Sequence, residues 1–338
     1  LHQGRRSRNA RPHRFHESLG PPRHRRRAHD QRQQPPIPHD LRRPEVARLF
    51  HERTGHHSFW YGNFEGAFGD ADRGQTRWET FPAEARFGTT YIGLRGRLSV
   101  LTESYSYATY RDRVLGQLAF FRAILDTAVA QREDLIRITR EADERAVRLG
   151  KAAADQVAIR SKAQARPGGA TILGFVEEVR SGRSVSTGEP KDVRVELWDL
   201  FIPERTVRRP RAYAILRDPG GVIDALRAHG IAMRQTTAET TVDAETFLIR
   251  SAKPASRPFQ GRIPIAIDAD TSRGSVTLPA GTWIVSTAQP LGHLVVYLLE
   301  PGSEDGLATW NFFDPAIQGE PAADRPYPVV RLLSDPAE

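Results

Sequence analysis

The chain has no cysteine, and only four of its 49 basic residues are lysine. The absence of cysteine excludes disulfides and thiolate metal sites. The sequence has no run of 18 apolar residues, so it predicts no membrane-spanning helix. A length of 338 residues suggests two domains, and an apolar content of 39% is enough for a real core.

Residues 1–44 are strongly basic and show neither helical nor strand periodicity. They contain 12 arginines and 6 histidines against 3 acidic residues, and prolines interrupt them. Three interpretations are open: an arm that binds nucleic acid phosphates, a disordered tail, or out-of-frame translation of GC-rich DNA, which the scarcity of lysine suggests. We expect a disordered or out-of-frame segment and no nucleic acid partner.

Hydrophobic periodicity predicts regular elements between residues 45 and 160. In order, they are a helix from Glu45 to Arg53, a strand from Ser58 to Phe64, a strand from Ile92 to Leu101, a helix from Tyr110 to Ala130 and a charged helix from Arg132 to Arg160. In the fourth element, apolar residues repeat at spacings of four, three and four, at Val114, Leu118, Phe121 and Leu125. This spacing predicts a helix whose apolar face packs on a sheet.

The sequence changes character after Ala165–Gly169, which we take as the boundary between a helical spacer at residues 131–166 and a β-rich accessory domain at 167–335. One short helix is predicted there, from Val222 to His229, with Gly230 ending it. The remaining runs are strand-like and separated by turns. They are Ile172–Val179, Val193–Leu200, Arg211–Leu216, Thr246–Ile249, Ile263–Ile267, Ser275–Leu278, Thr282–Ser286 and Leu294–Leu299.

Glu103 follows the predicted strand Ile92–Leu101 directly. In open α/β sheets, functional sites lie outside the carboxyl ends of strands. Strand alternation places Arg95 and Arg97 on the same face as Glu103, where they could hold a substrate carboxylate or pair with acidic neighbours. A single glutamate in this position is also common as an ordinary surface carboxylate, so the position alone does not decide.

Six sequence words follow one another in this region: FWYGNF at 59–64, WETFP at 78–82, RFGTTY at 86–91, GLRGR at 93–97, ESYSY at 103–107 and YRDRV at 110–114. Together they resemble the C-terminal half of the catalytic domain in bacterial members of the zinc carboxypeptidase superfamily (carboxypeptidase A-like, or funnelin, metallopeptidases). The resemblance covers residues 45–128. The words PAGTW at 279–283 and GLATWNFF at 306–313 resemble the region that follows this domain in the same proteins.

The resemblance implies an α/β/α fold with a mixed sheet, in residues 45–130, and one zinc ion. It implies that Glu103 is the general base and that the substrate is a peptide, which loses its C-terminal residue. Tyr91 is a weak match to a mobile tyrosine that closes over substrate, and a packed strand tyrosine is the alternative. Bacterial relatives are often exported, so the resemblance favours a secreted or periplasmic location.

The chain departs from the family at the metal site. It contains no His-x-x-Glu, and the family's usual carboxylate-binding arginines precede the matched words. Only His2 could be a remnant of the third zinc ligand, and the alternative, a disordered terminal residue, is favoured. Because catalytic zinc needs three protein ligands, we expect no tight zinc binding and an inactive fragment whose N-terminal half is missing.

The alternative function is a non-catalytic peptide- or glycan-binding protein with a degenerate carboxypeptidase fold. Trp198, Trp283 and Trp310 could form a carbohydrate platform in such a protein, although core or interface packing is the favoured explanation. The sequence does not predict an oligomeric state.

Overall fold

The computed structural model describes residues 43–64, 76–105, 108–181, 183–317 and 326–334. The helices are α1 (Arg43–Thr54), α2 (Gly88–Leu94), α3 (Tyr110–Ala130), α4 (Arg132–Ala152), α5 (Val222–Ala228), α6 (Gly292–Leu299) and α7 (Asp314–Ile317). The strands are β1 (Asn63–Phe64), β2 (Arg77–Glu79), β3 (Gln156–Arg180), β4 (Arg183–Arg208), β5 (Ala212–Ile215), β6 (Arg234–Gln235), β7 (Thr240–Pro254), β8 (Ile265–Leu278), β9 (Trp283–Ser286) and β10 (Val329–Leu332).

The strands form two sheets of different kinds. Sheet A has the order β1-β2-β4-β3 and is mixed, because β2 runs parallel to β4 while its other pairs are antiparallel. Sheet B has the order β6-β9-β5-β10-β7-β8, and its pairs are antiparallel. The chain therefore has an α/β part with a mixed sheet followed by a β-rich part that also contains helices, which confirms the predicted fold class.

Strands β3 and β4 form one long hairpin that reaches both the α/β part and the β-rich part. The predicted charged helix ends at Ala152, because Ala153 adopts a left-handed conformation with φ of 49°. Its predicted continuation to Arg160 is wrong: Val157 and Ile159 are buried alternately in β3, as a strand requires. Residues 165–169, the predicted boundary, lie within β3, and the pairing register shifts between Arg166 and Ala170.

The prediction of a strand at Leu294–Leu299 is also wrong, because these residues form α6. Every residue from Leu294 to Leu299 is buried, so the segment is apolar all round and shows no period that separates helix from strand. The helix starts at Gly292, where a Cβ would lie 1.9 Å from the Thr287 carbonyl oxygen. The prediction of α5 is confirmed, and Gly230 follows it with φ of 76°.

Helix α3 has the bounds that the sequence predicts. Thr109 caps it, since its side chain accepts a hydrogen bond from the backbone N–H of Asp112. Its packing differs from the prediction. The helix meets α1, where the rings of Phe50 and Phe120 lie 5.1 Å apart, and the expected apolar face is exposed instead of resting on a sheet. None of the helices that the structure describes has the length and apolar character to span a bilayer.

A buried ionic group holds the centre of sheet B together. Glu300 is 1% exposed and accepts hydrogen bonds from Tyr213 Oη at 2.6 Å and from Arg331 at 2.7 and 2.6 Å. Arg331 also donates to Glu245 at 2.8 Å. Burial and the Glu300 carboxylate raise the pKa of Tyr213 far above its usual range. The phenol therefore remains a donor, and it offsets part of the desolvation of the carboxylate.

Arg331→Met should destabilise the protein by roughly 3–5 kcal/mol, because it leaves Glu300 buried without its cation. Arg250→Met is the matched control: Arg250 pairs with Asp270 at the surface, where such pairs contribute about 0–1 kcal/mol. Urea unfolding of both variants measures the difference. Equal losses in the two variants would contradict the role given to the Glu300 group.

Candidate active site

Glu103 lies in an irregular segment between α2 and α3, and its side chain is exposed. The predicted strand Ile92–Leu101 is wrong. Its first residues belong to α2, whose Tyr91 and Leu94 both pack on the main core, as residues three apart on a helix do. Gly96 then adopts φ of 69°, which takes the chain out of the helix. Glu103 is therefore not at the end of a strand in this structure.

Tyr91 and Arg95 lie together, one helical turn apart, and meet His229 at the end of α5. The Tyr91 hydroxyl is 2.8 Å from His229 Nδ1. Arg95 Nη1 donates to the Tyr91 hydroxyl at 3.1 Å and to the His229 carbonyl oxygen at 2.6 Å. Burial, together with the nearby Arg95 charge, lowers the pKa of His229. The neutral imidazole is thus favoured, and its Nδ1 can accept a hydrogen bond from the Tyr91 hydroxyl.

Arg97 has a different environment from Arg95, so the prediction that both share one strand face is wrong. Its guanidinium forms two hydrogen bonds to Asp143 of α4, at 2.7 and 2.9 Å. These bonds raise the pKa of Arg97. The arginine fixes the irregular segment to α4, which is the acidic pairing that the sequence left open as the alternative to substrate binding.

The predicted zinc ligand His2 lies outside the described residues. Within the described parts of the chain, no group of three or more histidine, aspartate or glutamate side chains is placed to hold a metal ion. Glu103 alone does not make a zinc site, because such a site needs three protein ligands. The described residues therefore do not fit the zinc centre that the family resemblance implies.

A polar cluster around Asp305 was not predicted from the sequence. The Asp305 side chain is 1% exposed and accepts hydrogen bonds from Trp310 Nε1 at 2.8 Å, from Arg86 Nε at 3.0 Å and from the Arg86 backbone N–H. Glu84 pairs with Arg86 from the other side at 3.0 Å. With three donors on one carboxylate, Asp305 anchors residues 84–86 to the β-rich part.

Glu304, next to Asp305, belongs to the same junction. It accepts hydrogen bonds from the backbone N–H of Ser161 at 3.1 Å and from the Tyr297 hydroxyl at 3.3 Å. Burial raises the pKa of Glu304 and of Glu84. Half-buried carboxyls with raised pKa values are common both at functional sites and in structural ion-pair networks. The tight pairing of these carboxyls indicates a structural ion-pair network.

The three tryptophans considered as a carbohydrate platform lie on separate elements. An arginine covers each ring: Arg77 at 3.7 Å from the ring centre of Trp198, Arg227 at 5.0 Å from Trp283 and Arg86 at 5.0 Å from Trp310. Guanidinium groups at these distances form cation–π contacts. The arrangement favours packing over a shared sugar-binding surface.

Comparison with known proteins gives no match: none among family models, among curated proteins or among solved structures.

Glu84→Gln should change how stability depends on pH. Burial raises the folded-state pKa of Glu84 above its usual value near 4.5, so the folded protein holds this proton more tightly than the unfolded chain. The resulting stabilisation is present at acid pH and is lost as the pH rises through the raised pKa. The glutamine variant, which has no proton to lose, should therefore gain stability relative to the wild type as the pH rises above about 4.5. Urea unfolding at several pH values tests this, and a relative loss on raising the pH would contradict it.

Proposed function

We propose that the chain is the C-terminal part of a zinc metallocarboxypeptidase catalytic domain joined to a β-rich accessory region. The observation that carries the proposal is the order of the six words between residues 59 and 114, which follows that of the family. Glu103, the residue that matches the general base, keeps an exposed carboxylate. The substrate class is a peptide with a free C-terminal carboxylate.

Glu103 contributes proton transfer in this proposal. A glutamate carboxylate removes a proton from the attacking water and then delivers it to the nitrogen of the leaving amine. Such a group must reach the reacting atoms, so an exposed position in a segment outside the sheets suits it better than a buried salt bridge does. The zinc ligands have to come from outside the described residues.

Arg95 and Tyr91 are the substrate-binding residues of the proposal. Both hydrogen bonds of Arg95 to Tyr91 and His229 use Nη1, whereas a guanidinium has five donors and binds carboxylates through two parallel bonds. Arg97, which already forms two bonds to Asp143, is the weaker candidate for a substrate carboxylate. Tyr91 adds a phenol next to the Arg95 guanidinium.

Glu103→Gln should lower peptidase turnover by about 10²–10⁴-fold in a protein that includes the zinc ligands, because the amide keeps the shape and loses the proton acceptor. The suitable protein is this chain extended by the coding sequence that precedes Leu1 and loaded with zinc. Turnover is measured as release of the C-terminal residue from an N-acylated dipeptide. Glu133→Gln, an exposed change on α4, is the control and should leave turnover unaltered.

If Glu103→Gln retained more than about a tenth of the wild-type rate, far above what loss of a general base allows, Glu103 would not be the base. If the extended wild-type protein bound zinc and hydrolysed no peptide, the assignment to carboxypeptidases would be wrong.

A further inference from the structure

Helix α3 carries an exposed row of large apolar side chains along its whole length. We name it the α3 stripe, and its members are 43–82% exposed: Tyr110, Val114, Leu118, Phe121, Leu125 and Val129. The opposite face of the helix, with the buried Ala123 and Thr127, is the one that faces the rest of the described protein. The more apolar face of α3 is therefore the one left in solvent.

The size of the α3 stripe sets what can cover it. Tyr110 and Phe121 are aromatic, with about 150–250 Å² of surface each, and the other four residues are aliphatic. At 43–82% exposure the six side chains together expose on the order of 600 Å². That is at the upper limit of the largest apolar patch on typical monomers, about 300–600 Å². Two such stripes packed together would remove on the order of 1,200 Å² from water, the lower end of the range for specific, stable interfaces.

The N-terminal segment does not suit this surface. Residues 1–44 contain 12 arginines and only five large apolar residues, Leu1, Phe15, Leu19, Ile37 and Leu41. They therefore offer little apolar surface to cover the α3 stripe. A covering surface has to be apolar and of similar length, about 31 Å for a helix of 21 residues.

The intervals between residues of the α3 stripe are the same when they are counted from either end of the helix. Its residues follow at intervals of 4, 4, 3, 4 and 4, so a second α3 lying antiparallel presents a matching row. Tyr110 then faces Val129 of the second copy, Val114 faces Leu125, and Leu118 faces Phe121.

We propose that the α3 stripe is the interface of a two-fold symmetric homodimer, formed by antiparallel pairing of the two α3 helices. Such an interface is isologous, with the same surface contributed by both chains. Apolar residues at spacings of three and four interdigitate when two helices pack side by side. The dimer accounts for a helix whose outward face is richer in large apolar residues than its inward face.

Sedimentation equilibrium of the full chain should give twice the 37.9 kDa chain mass. Phe121→Glu places two carboxylates near the two-fold axis, and it should weaken the dimer on the order of a hundredfold. Val179→Glu, on β3 and equally open to solvent at 67%, is the control and should remain dimeric. Circular dichroism and thermal unfolding show that both variants are folded.

Cysteine cross-linking tests the antiparallel register, and the absence of native cysteine restricts every disulfide to the introduced sites. A mixture of Val114→Cys and Leu125→Cys chains should form a disulfide-linked pair on mild oxidation, whereas neither variant should do so alone. Cross-linking of each variant with itself would indicate parallel helices and overturn the register. A protein that is monomeric at every concentration would overturn the dimer, whether a separate polypeptide or residues 1–42 cover the α3 stripe. A dimer that Phe121→Glu leaves intact would overturn it as well.

Discussion

The position of the candidate site depends on one buried carboxylate. Asp305 accepts hydrogen bonds from the backbone and side chain of Arg86 and from the indole of Trp310. Arg86 lies two residues before α2, which contains Tyr91 and has Arg95 as its C-cap residue, so the Asp305 contact sets where that helix starts relative to the β-rich part. His229 then fixes the far side of α2 through Tyr91 and Arg95. Without these contacts, α2 is too short to be stable by itself.

The sequence predicts those elements that have a long and clear period. Helix α3 has the predicted bounds, because its apolar residues repeat over five turns and Thr109 and Asp112 form a capping pair. Most strands of the β-rich part are also predicted, but β6, β10 and α7 are not. Leu294–Leu299 is predicted as a strand because an unbroken apolar run fits a buried helix as well as a strand. Residues 92–101 mislead because Ile92, Leu94, Leu98 and Val100 fit one face of a strand, yet Leu94 packs through helical spacing with Tyr91.

The candidate site is predicted only in part, for a physical reason. Tyr91 and Arg95 are found from sequence words, and they do lie together. Their partner His229 is 138 residues away from Tyr91, and Asp305 is 219 residues away from Arg86. Pairings over such separations are set by how the strands and helices pack. The hydrophobic periodicity of a single segment carries no information about them. Glu103 is identified by resemblance, whereas its environment differs from the strand end that the local pattern indicates.

The enzymatic proposal and the dimer proposal are compatible in space. Glu103 precedes α3 by a few residues, and antiparallel pairing puts the first residues of the two helices at opposite ends of an interface about 31 Å long. Each Glu103 segment would thus remain open to solvent. The two proposals also rest on different observations, sequence words in one case and exposed apolar area in the other.

Reading the nucleotide sequence upstream of the Leu1 codon tests the central claim most directly. The account predicts a His-x-x-Glu motif there, in the same frame or in a shifted one, within the length of one domain. An upstream region of that length without the motif in any frame would contradict the assignment of this chain to the zinc carboxypeptidases.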